Sequence, residues 1–170
     1  MINGYDILKE RYPDFDEDSR TPNGIDLRLG KVYELSEEFI SYGIYEDKKM
    51  IPEHIEVMAE PLWMNDKYGW TLNPGRAYIL EVDREIKINE NSMQLYRPRS
   101  TLLRAGISLH TACGDAGYNG KLAFLCINNS NRPFRMEEGV RFAQMIDFEV
   151  KGASTQYDGD YQNDKHKVKE

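Results

Sequence analysis

Gly106-Ile-Ser-Leu-His-Thr111, Gly114-Asp-Ala-Gly-Tyr-Asn-Gly120 and Lys121-Leu-Ala-Phe-Leu-Cys-Ile127 decide the fold class between them. The first and third are short β-prone runs, and the second is a turn bounded by glycines. A cluster of turn formers, Asn128-Asn-Ser-Asn131, closes the stretch.

The same alternation of strand and turn extends in both directions. Residues 25–29, 77–82, 94–96 and 140–150 read as further strands, separated by Asn73-Pro74-Gly75, Asn119-Gly120 and Glu138-Gly139. The expectation is an all-β domain over residues 1–150, barrel-like or jelly-roll-like. Ile2, Tyr5, Ile7 and Leu8 precede Pro13 at a spacing that predicts one short amphipathic helix. The acidic run 14–19 reads as a solvated loop. It fails as a calcium loop because Ser19 stands where the turn needs glycine and Ile25 where it needs glutamate. Trp63, Tyr68 and Trp70 flank a hairpin and are expected as core or subunit-interface anchors. From 151 to 170 aliphatic residues nearly vanish, which predicts a flexible tail. Two tyrosines in it, Tyr157 and Tyr161, also suit a segment that folds over a ligand.

At 170 residues the chain is expected to be one domain burying about two-thirds of its unfolded surface. A net charge of −7 and a pI near 5.1 argue against a general nucleic-acid binder, which needs cations to displace counterions. Residues 97 to 141 nonetheless hold seven Lys or Arg against three acids, a local basic surplus suited to a small anionic ligand. Cys113, Cys126 and the three histidines (His54, His110, His166) lack zinc-site spacing. Both cysteines are read as buried, reduced thiols of a cytoplasmic protein. The first residues lack the pattern of a secretory signal, and no run approaches a membrane span in length.

Chemistry concentrates in two segments. In Arg97-Pro-Arg-Ser-Thr-Leu-Leu-Arg-Ala-Gly106, Arg99 and Arg104 supply charge, while Ser100 is expected as the N-cap of a helical turn closed near Gly106. Free amides at such a turn attract phosphate. In the second segment Asp115 sits in a glycine-bounded turn beside Tyr118. Phosphate donors, a base and an aromatic ring together suggest a nucleotide. Each segment is equally an ordinary surface feature when taken alone: a solvated cap, and a turn aspartate bonding its own backbone.

The order of several segments over more than half the chain resembles the dCTP deaminase and dUTPase superfamily. The likeness begins at Asn23-Gly-Ile-Asp-Leu-Arg-Leu-Gly30 and runs through Leu72-Asn-Pro-Gly-Arg-Ala-Tyr-Ile-Leu80, the Glu85 segment, Arg99-Ser100 and Gly114–Gly120. It continues in Arg132-Pro-Phe-Arg-Met-Glu-Glu-Gly-Val-Arg-Phe-Ala-Gln144 and ends with Tyr157-Asp-Gly-Asp-Tyr-Gln162. The resemblance implies a homotrimeric dUTPase-like β fold with sites between subunits and a deoxynucleoside triphosphate as substrate. It also implies roles for individual residues. Arg99, Ser100, Thr101, Arg104 and Gln144 would bind phosphate, aided by Arg97 or Arg141. Asp115 would be the general base. Tyr118 would pack on the deoxyribose unless it is simply a hairpin core aromatic. The main chain around Ala123 to Leu125 would read the base, and Tyr157, Tyr161 and Gln162 would form a lid. Magnesium would be held mainly by the triphosphate.

Two reactions divide the superfamily. Deamination of dCTP requires a glutamate where this chain has Leu125, and leucine cannot shuttle a proton. Hydrolysis of dUTP to dUMP and pyrophosphate has no such requirement, so it is the expected activity. A dCTP deaminase and a non-catalytic member that binds a nucleotide or a partner are the alternatives. Two departures from the family pattern bear on the site. Acids at Asp160 and Asp164 replace a lysine and a glutamine in the tail, and Gly114 replaces isoleucine before Asp115.

Overall fold

A computed structural model describes residues 1–37, 42–46, 49–62, 66–152 and 155–163. Trp63, Asp164 and His166 lie outside these residues. The chain opens with helix α1 (Tyr5–Arg11) and a 3-10 turn (Glu17–Ser19), and a short helix α2 (Ser100–Arg104) interrupts the strands further on. The strands are β1 (Arg20–Thr21), β2 (Gly24–Leu35), β3 (Gly43–Ile44), β4 (Lys49–Met50), β5 (His54–Val57), β6 (Glu60–Pro61) and β7 (Tyr68–Leu72). After these come β8 (Ala77–Lys87), β9 (Ser92–Pro98), β10 (Ile107–His110), β11 (Asn119–Asn128), β12 (Phe134–Glu137) and β13 (Arg141–Glu149).

The main sheet runs β10-β11-β8-β2-β13-β9, with β1 and β5 added to β2. Its two ends meet, because an antiparallel bridge joins Gln94 of β9 to Gly114, just beyond β10. Thr111 Oγ1 also donates to the Tyr96 carbonyl at 3.0 Å. The sheet is therefore nearly closed into a barrel, as the alternating sequence requires. Along β11 the inner row is Leu122, Phe124 and Cys126, while Lys121, Ala123, Leu125 and Ile127 face outward.

Strand β2 spans both halves of the barrel. Its first half pairs with β13, and its second half pairs with β8 and β5. The change of partner coincides with a register shift between Leu29 and Lys31. Gly30 permits it, since a Cβ there would lie 2.6 Å from the Asp83 Cα.

Three sequence expectations are corrected. Ser100 is the first residue of α2 and not its cap; Arg99 is the N-cap and makes no side-chain cap bond. The extended backbone before the turn ends one residue earlier than Ser100, so the serine hydroxyl points along the helix and accepts from Arg104 Nη1 at 3.3 Å. The acidic run is only partly solvated: Asp16 caps the 3-10 turn, Phe15 and Ser19 are buried, and Arg84 stacks over the Phe15 ring at 4.6 Å. Cys113 is exposed, because it lies in the loop after β10 and not in a strand; Cys126 is buried, and burial pushes its thiol up to about 12. Of the hairpin aromatics, Trp70 is core whereas Tyr68 is exposed.

Gly30→Ala should destabilise the fold by about 2 kcal/mol, because backbone and not a flexible side chain blocks the new methyl. Urea unfolding checks this, the expected result being a lower midpoint at unchanged slope.

Candidate functional site

Three neighbouring strands build the phosphate-binding candidate. Gln144 of β13 lies opposite Asp26 of β2 on one side and Arg97 of β9 on the other. Cross-strand partners share a face, so these three residues form a row on the outside of the barrel. Strand β9 delivers the chain into α2, anchored where the Arg99 amide donates to the Phe142 carbonyl at 3.0 Å. The Arg99 side chain turns back and pairs with Asp26. Arg141 reaches the same carboxylate at 3.8 Å. Ser100, Thr101 and Arg104 are exposed on the adjoining turn, which closes where Gly106 adopts φ +77°. Gln144 Nε2 donates to Thr21 Oγ1 at 2.7 Å, fixing its amide beside Asp26.

Asp26 is the residue that motif reading passed over. It is 4% exposed, but its strand also carries Arg28, Lys31 and Glu34, so the sequence alone does not mark it as a buried acid. Burial pushes its carboxyl above the ordinary range, while Arg99, Arg141 and Arg28 pull it back. Its charge holds together guanidinium groups that would otherwise repel one another.

Asp115 occupies a different part of the barrel. It is exposed on a turn pinned at both ends. Gly114 exchanges two backbone hydrogen bonds with Gln94 at 2.8 and 2.9 Å, and the Tyr118 amide donates to the Asp115 carbonyl at 3.1 Å. The Tyr118 hydroxyl donates to the Lys121 carbonyl at 3.1 Å, so the ring is both core and turn support. The tail packs onto this turn. Tyr157 donates its amide to Ala116 at 2.8 Å and sets its ring edge-on to Tyr118, centroids 5.6 Å apart. Gln162 Nε2 donates to the Gly117 carbonyl at 3.0 Å, and its oxygen accepts from the Asn119 amide at 2.9 Å. Tyr161 is exposed and donates its amide to the Tyr157 hydroxyl at 3.4 Å. Asp160, one of the two altered tail residues, pairs with Lys49 at 3.0 Å.

The two groups do not meet within one chain. Asp115 opens into a cleft lined by Met93, Ala116, Val150 and 155–158, and none of Arg99, Ser100, Arg104 or Gln144 borders it. Along β9, Gln94 beside Gly114 and Arg99 are five residues apart, roughly 16 Å in an extended strand. On β11, Leu125 is flanked by His110 and Ile79. Ala123 pairs with Glu81 on one side and lies beyond the end of β10 on the other. The main-chain edge left free of β10 is thus 119–124.

The chain thus combines a nearly closed barrel, an arginine-rich turn after β9 and an aspartate turn before β11. The sequence family described as dCTP deaminase-like matches residues 4–150. The chain belongs to that family. A relative named "Probable deoxyuridine 5'-triphosphate nucleotidohydrolase" from Methanopyrus kandleri is 39% identical over 95% of this chain and 99% of its own. One of the same name from Methanothermobacter thermautotrophicus is 40% identical over 95% and 99%. The crystal structure of 2'-deoxycytidine 5'-triphosphate deaminase from Agrobacterium tumefaciens shares the fold with a TM-score of 0.64 at 20% identity, over 86% of this chain and 47% of that one. No helix among the described residues is long and apolar enough to cross a membrane.

A carboxyl raised in the folded state takes up its proton there before it does in the unfolded chain. Its charge is therefore a cost above that folded value, and the cost falls away as pH drops. Relative to Asp26→Asn, the wild type should accordingly gain unfolding free energy as pH is lowered from 7 through the carboxylate range. Urea melts of both proteins across that range check the sign.

Proposed function

We propose that this dCTP deaminase-like chain is a dUTP pyrophosphatase, hydrolysing dUTP to dUMP and pyrophosphate by water attack at the α-phosphorus. The observation that carries the reading is Leu125. It lies half-buried on the outer row of β11, in the place where deamination needs an acid, and the flanking strand residues are His110 and Ile79. The names of the two relatives, with 39% and 40% identity over nearly full length, support the same activity.

In this reading Arg99, Ser100, Thr101, Arg104 and Gln144 bind the triphosphate, with Arg97 and Arg141 nearby and Asp26 bracing the arginines. Charge grows on the phosphoryl oxygens and the leaving pyrophosphate during displacement, and preorganised cations lower that barrier. Asp115 orients and deprotonates the attacking water. Tyr118 packs against the deoxyribose, whose missing 2′-hydroxyl it selects. The uracil edge is read by main chain near Ala123, where β11 extends past β10, and the 4-position distinguishes it from cytosine by reversed hydrogen bonding. Tyr157, Tyr161 and Gln162 close over the nucleotide from the tail, residues 151–170.

The wide spacing of Asp115 and the arginines in one chain supports a homotrimer in which a neighbouring copy completes each site. The donors at the cradle are guanidinium, hydroxyl and amide groups, suited to phosphate and not to a cation. Among the described residues no group of three or more His, Cys, Asp or Glu side chains could cage a metal. In this reading magnesium would be held mainly by the triphosphate oxygens, keeping several waters and neutralising phosphate charge when bound. The free thiols Cys113 and Cys126 agree with a cytoplasmic location.

Purified protein with magnesium should release pyrophosphate from dUTP and no ammonia from dCTP, and chelation should abolish the release. Asp115→Asn should keep nucleotide binding and lower kcat by about 10²- to 10⁴-fold. Unchanged turnover in that variant would remove Asp115 as the base, and ammonia from dCTP would make the chain a deaminase.

A further inference from the structure

Glycine at 114 is demanded by what lies beneath it. A Cβ there would overlap the Tyr96 hydroxyl and Ile88 Cδ1, and would lie 3.2 Å from Gln94 Cβ. The backbone torsion is not in the left-handed region, so the requirement is one of space and not of conformation. Isoleucine, the usual family residue before the aspartate, has no room here. The volume it would occupy is filled from below by the ring and hydroxyl of Tyr96.

Tyr96 is itself tightly held. Its ring packs on Phe124 with centroids 5.0 Å apart. Its hydroxyl donates to Gln94 Oε1 at 2.7 Å; Gln94 Nε2 donates to the Tyr12 hydroxyl at 2.7 Å; Tyr12 donates to Asp147 Oδ2 at 2.8 Å. The direction of this chain is set at one end. A carboxylate only accepts, so Tyr12 must give it the proton and take its own bond from the Gln94 amide. The carbonyl of Gln94 is then left to face Tyr96. Burial raises the pKa of both tyrosines, so both remain donors across the working pH range. Gln94 is also the residue whose backbone exchanges both bonds with Gly114.

We propose that Tyr96 is a positioning residue for Asp115: locked through Gln94 and Tyr12 to Asp147, it fills the space under Gly114 and fixes the backbone from which the carboxylate projects. The proposal rests on Asp115 being the general base. Asp115 is exposed at the head of a segment containing Gly114, Gly117 and Gly120, which would be loose without such support. A general base displaced by about 1 Å loses as much as 10²-fold in rate. Tyr12, just beyond the N-terminal helix, would thereby support the base from a distance.

The test compares wild type, Tyr96→Phe, Gly114→Ala and the double variant in dUTP turnover, with hydrogen exchange at the Gly114 amide measured in parallel. Tyr96→Phe keeps the ring and removes only the hydroxyl. It should stay folded, lower kcat by about tenfold with KM within twofold, and speed Gly114 exchange by at least about tenfold. Gly114→Ala alone should lose more. Adding Tyr96→Phe to it should restore part of the rate, because the hydroxyl that blocks the methyl is gone. Unchanged kcat in Tyr96→Phe, or a double variant whose loss is the product of the single losses, overturns the proposal. If the wild type releases no pyrophosphate from dUTP, the reading of the activity fails. Exchange at Gly114 then still decides the positioning, and an unchanged rate in Tyr96→Phe refutes it.

Discussion

Asp147 is a carboxylate with no solvent exposure, and the docking of the N-terminal segment is organised around satisfying it. Removing an ion of this kind from water costs several kcal/mol unless donors replace the lost hydration. Here they come from separate parts of the chain: Asn3, Arg11 at 2.9 Å, Tyr12 at 2.8 Å and Ser92 at 3.3 Å. Asn3, Arg11 and Tyr12 lie before, within and just after α1, and Ser92 opens β9. The charge therefore ties the N-terminal segment to the barrel at the strand that closes it. The Asn3 amide adds a backbone bond to the Asp147 carbonyl at 2.9 Å, and Ile2 bridges to Phe148. A hydrophobic residue at 147 would spare the desolvation cost but would leave Arg11 and the Tyr12 hydroxyl without their acceptor.

A second buried acid does comparable work on the outside of the barrel. Asp26 sits among Arg28, Arg99 and Arg141, and its charge lets guanidinium groups gather where the outer row of β13 meets α2. On a chain of net charge −7 this gives a confined basic region and not a basic protein. Such focusing attracts a compact polyanion while leaving the rest of the surface unsuited to a nucleic-acid backbone. The acid also holds Arg99 in place before any phosphate arrives, and donors ordered in advance stabilise developing charge better than ones that must be recruited.

The parts of this design that obey periodicity could be read from sequence. Residues 77–82 and 121–127 are mostly apolar, β-prone runs bounded by turn formers, and the structure extends those strands to Ala77–Lys87 and Asn119–Asn128. The strands His54–Val57 and Phe134–Glu137 gave no comparable signal: each is only four residues long, and the first is mostly solvent-facing, so pairing more than pattern makes it a strand. Arg99 and Ser100 were recognisable as a motif, but which of them caps α2 depends on backbone torsion, and the sequence offered a good capping side chain one position too late. Asp26 and Asp147 were invisible as buried ions for another reason. Each is paired with arginines distant in the chain, Asp26 with Arg99 and Asp147 with Arg11, and burial of a charge becomes intelligible only with its partner in view.

Gly114 shows how a departure from a family pattern can be misread. From sequence, glycine before a reactive aspartate suggests a loosened site, since glycine carries the greatest backbone freedom. In the fold that freedom is absent. Two backbone bonds to Gln94 hold the residue, and Tyr96 and Ile88 occupy the space beneath it where a Cβ would lie. The space a side chain at 114 would need is already filled by Tyr96 and Ile88, so the turn is close-packed without one. The Tyr96 hydroxyl fits this packing: a ring end brought this close to backbone must be fixed in direction, and the bond to Gln94 fixes it. On the proposed coupling, rigidity at Asp115 depends on β9 and on Tyr12 beyond α1 as much as on the turn, and changes there would reach the carboxylate through Gly114.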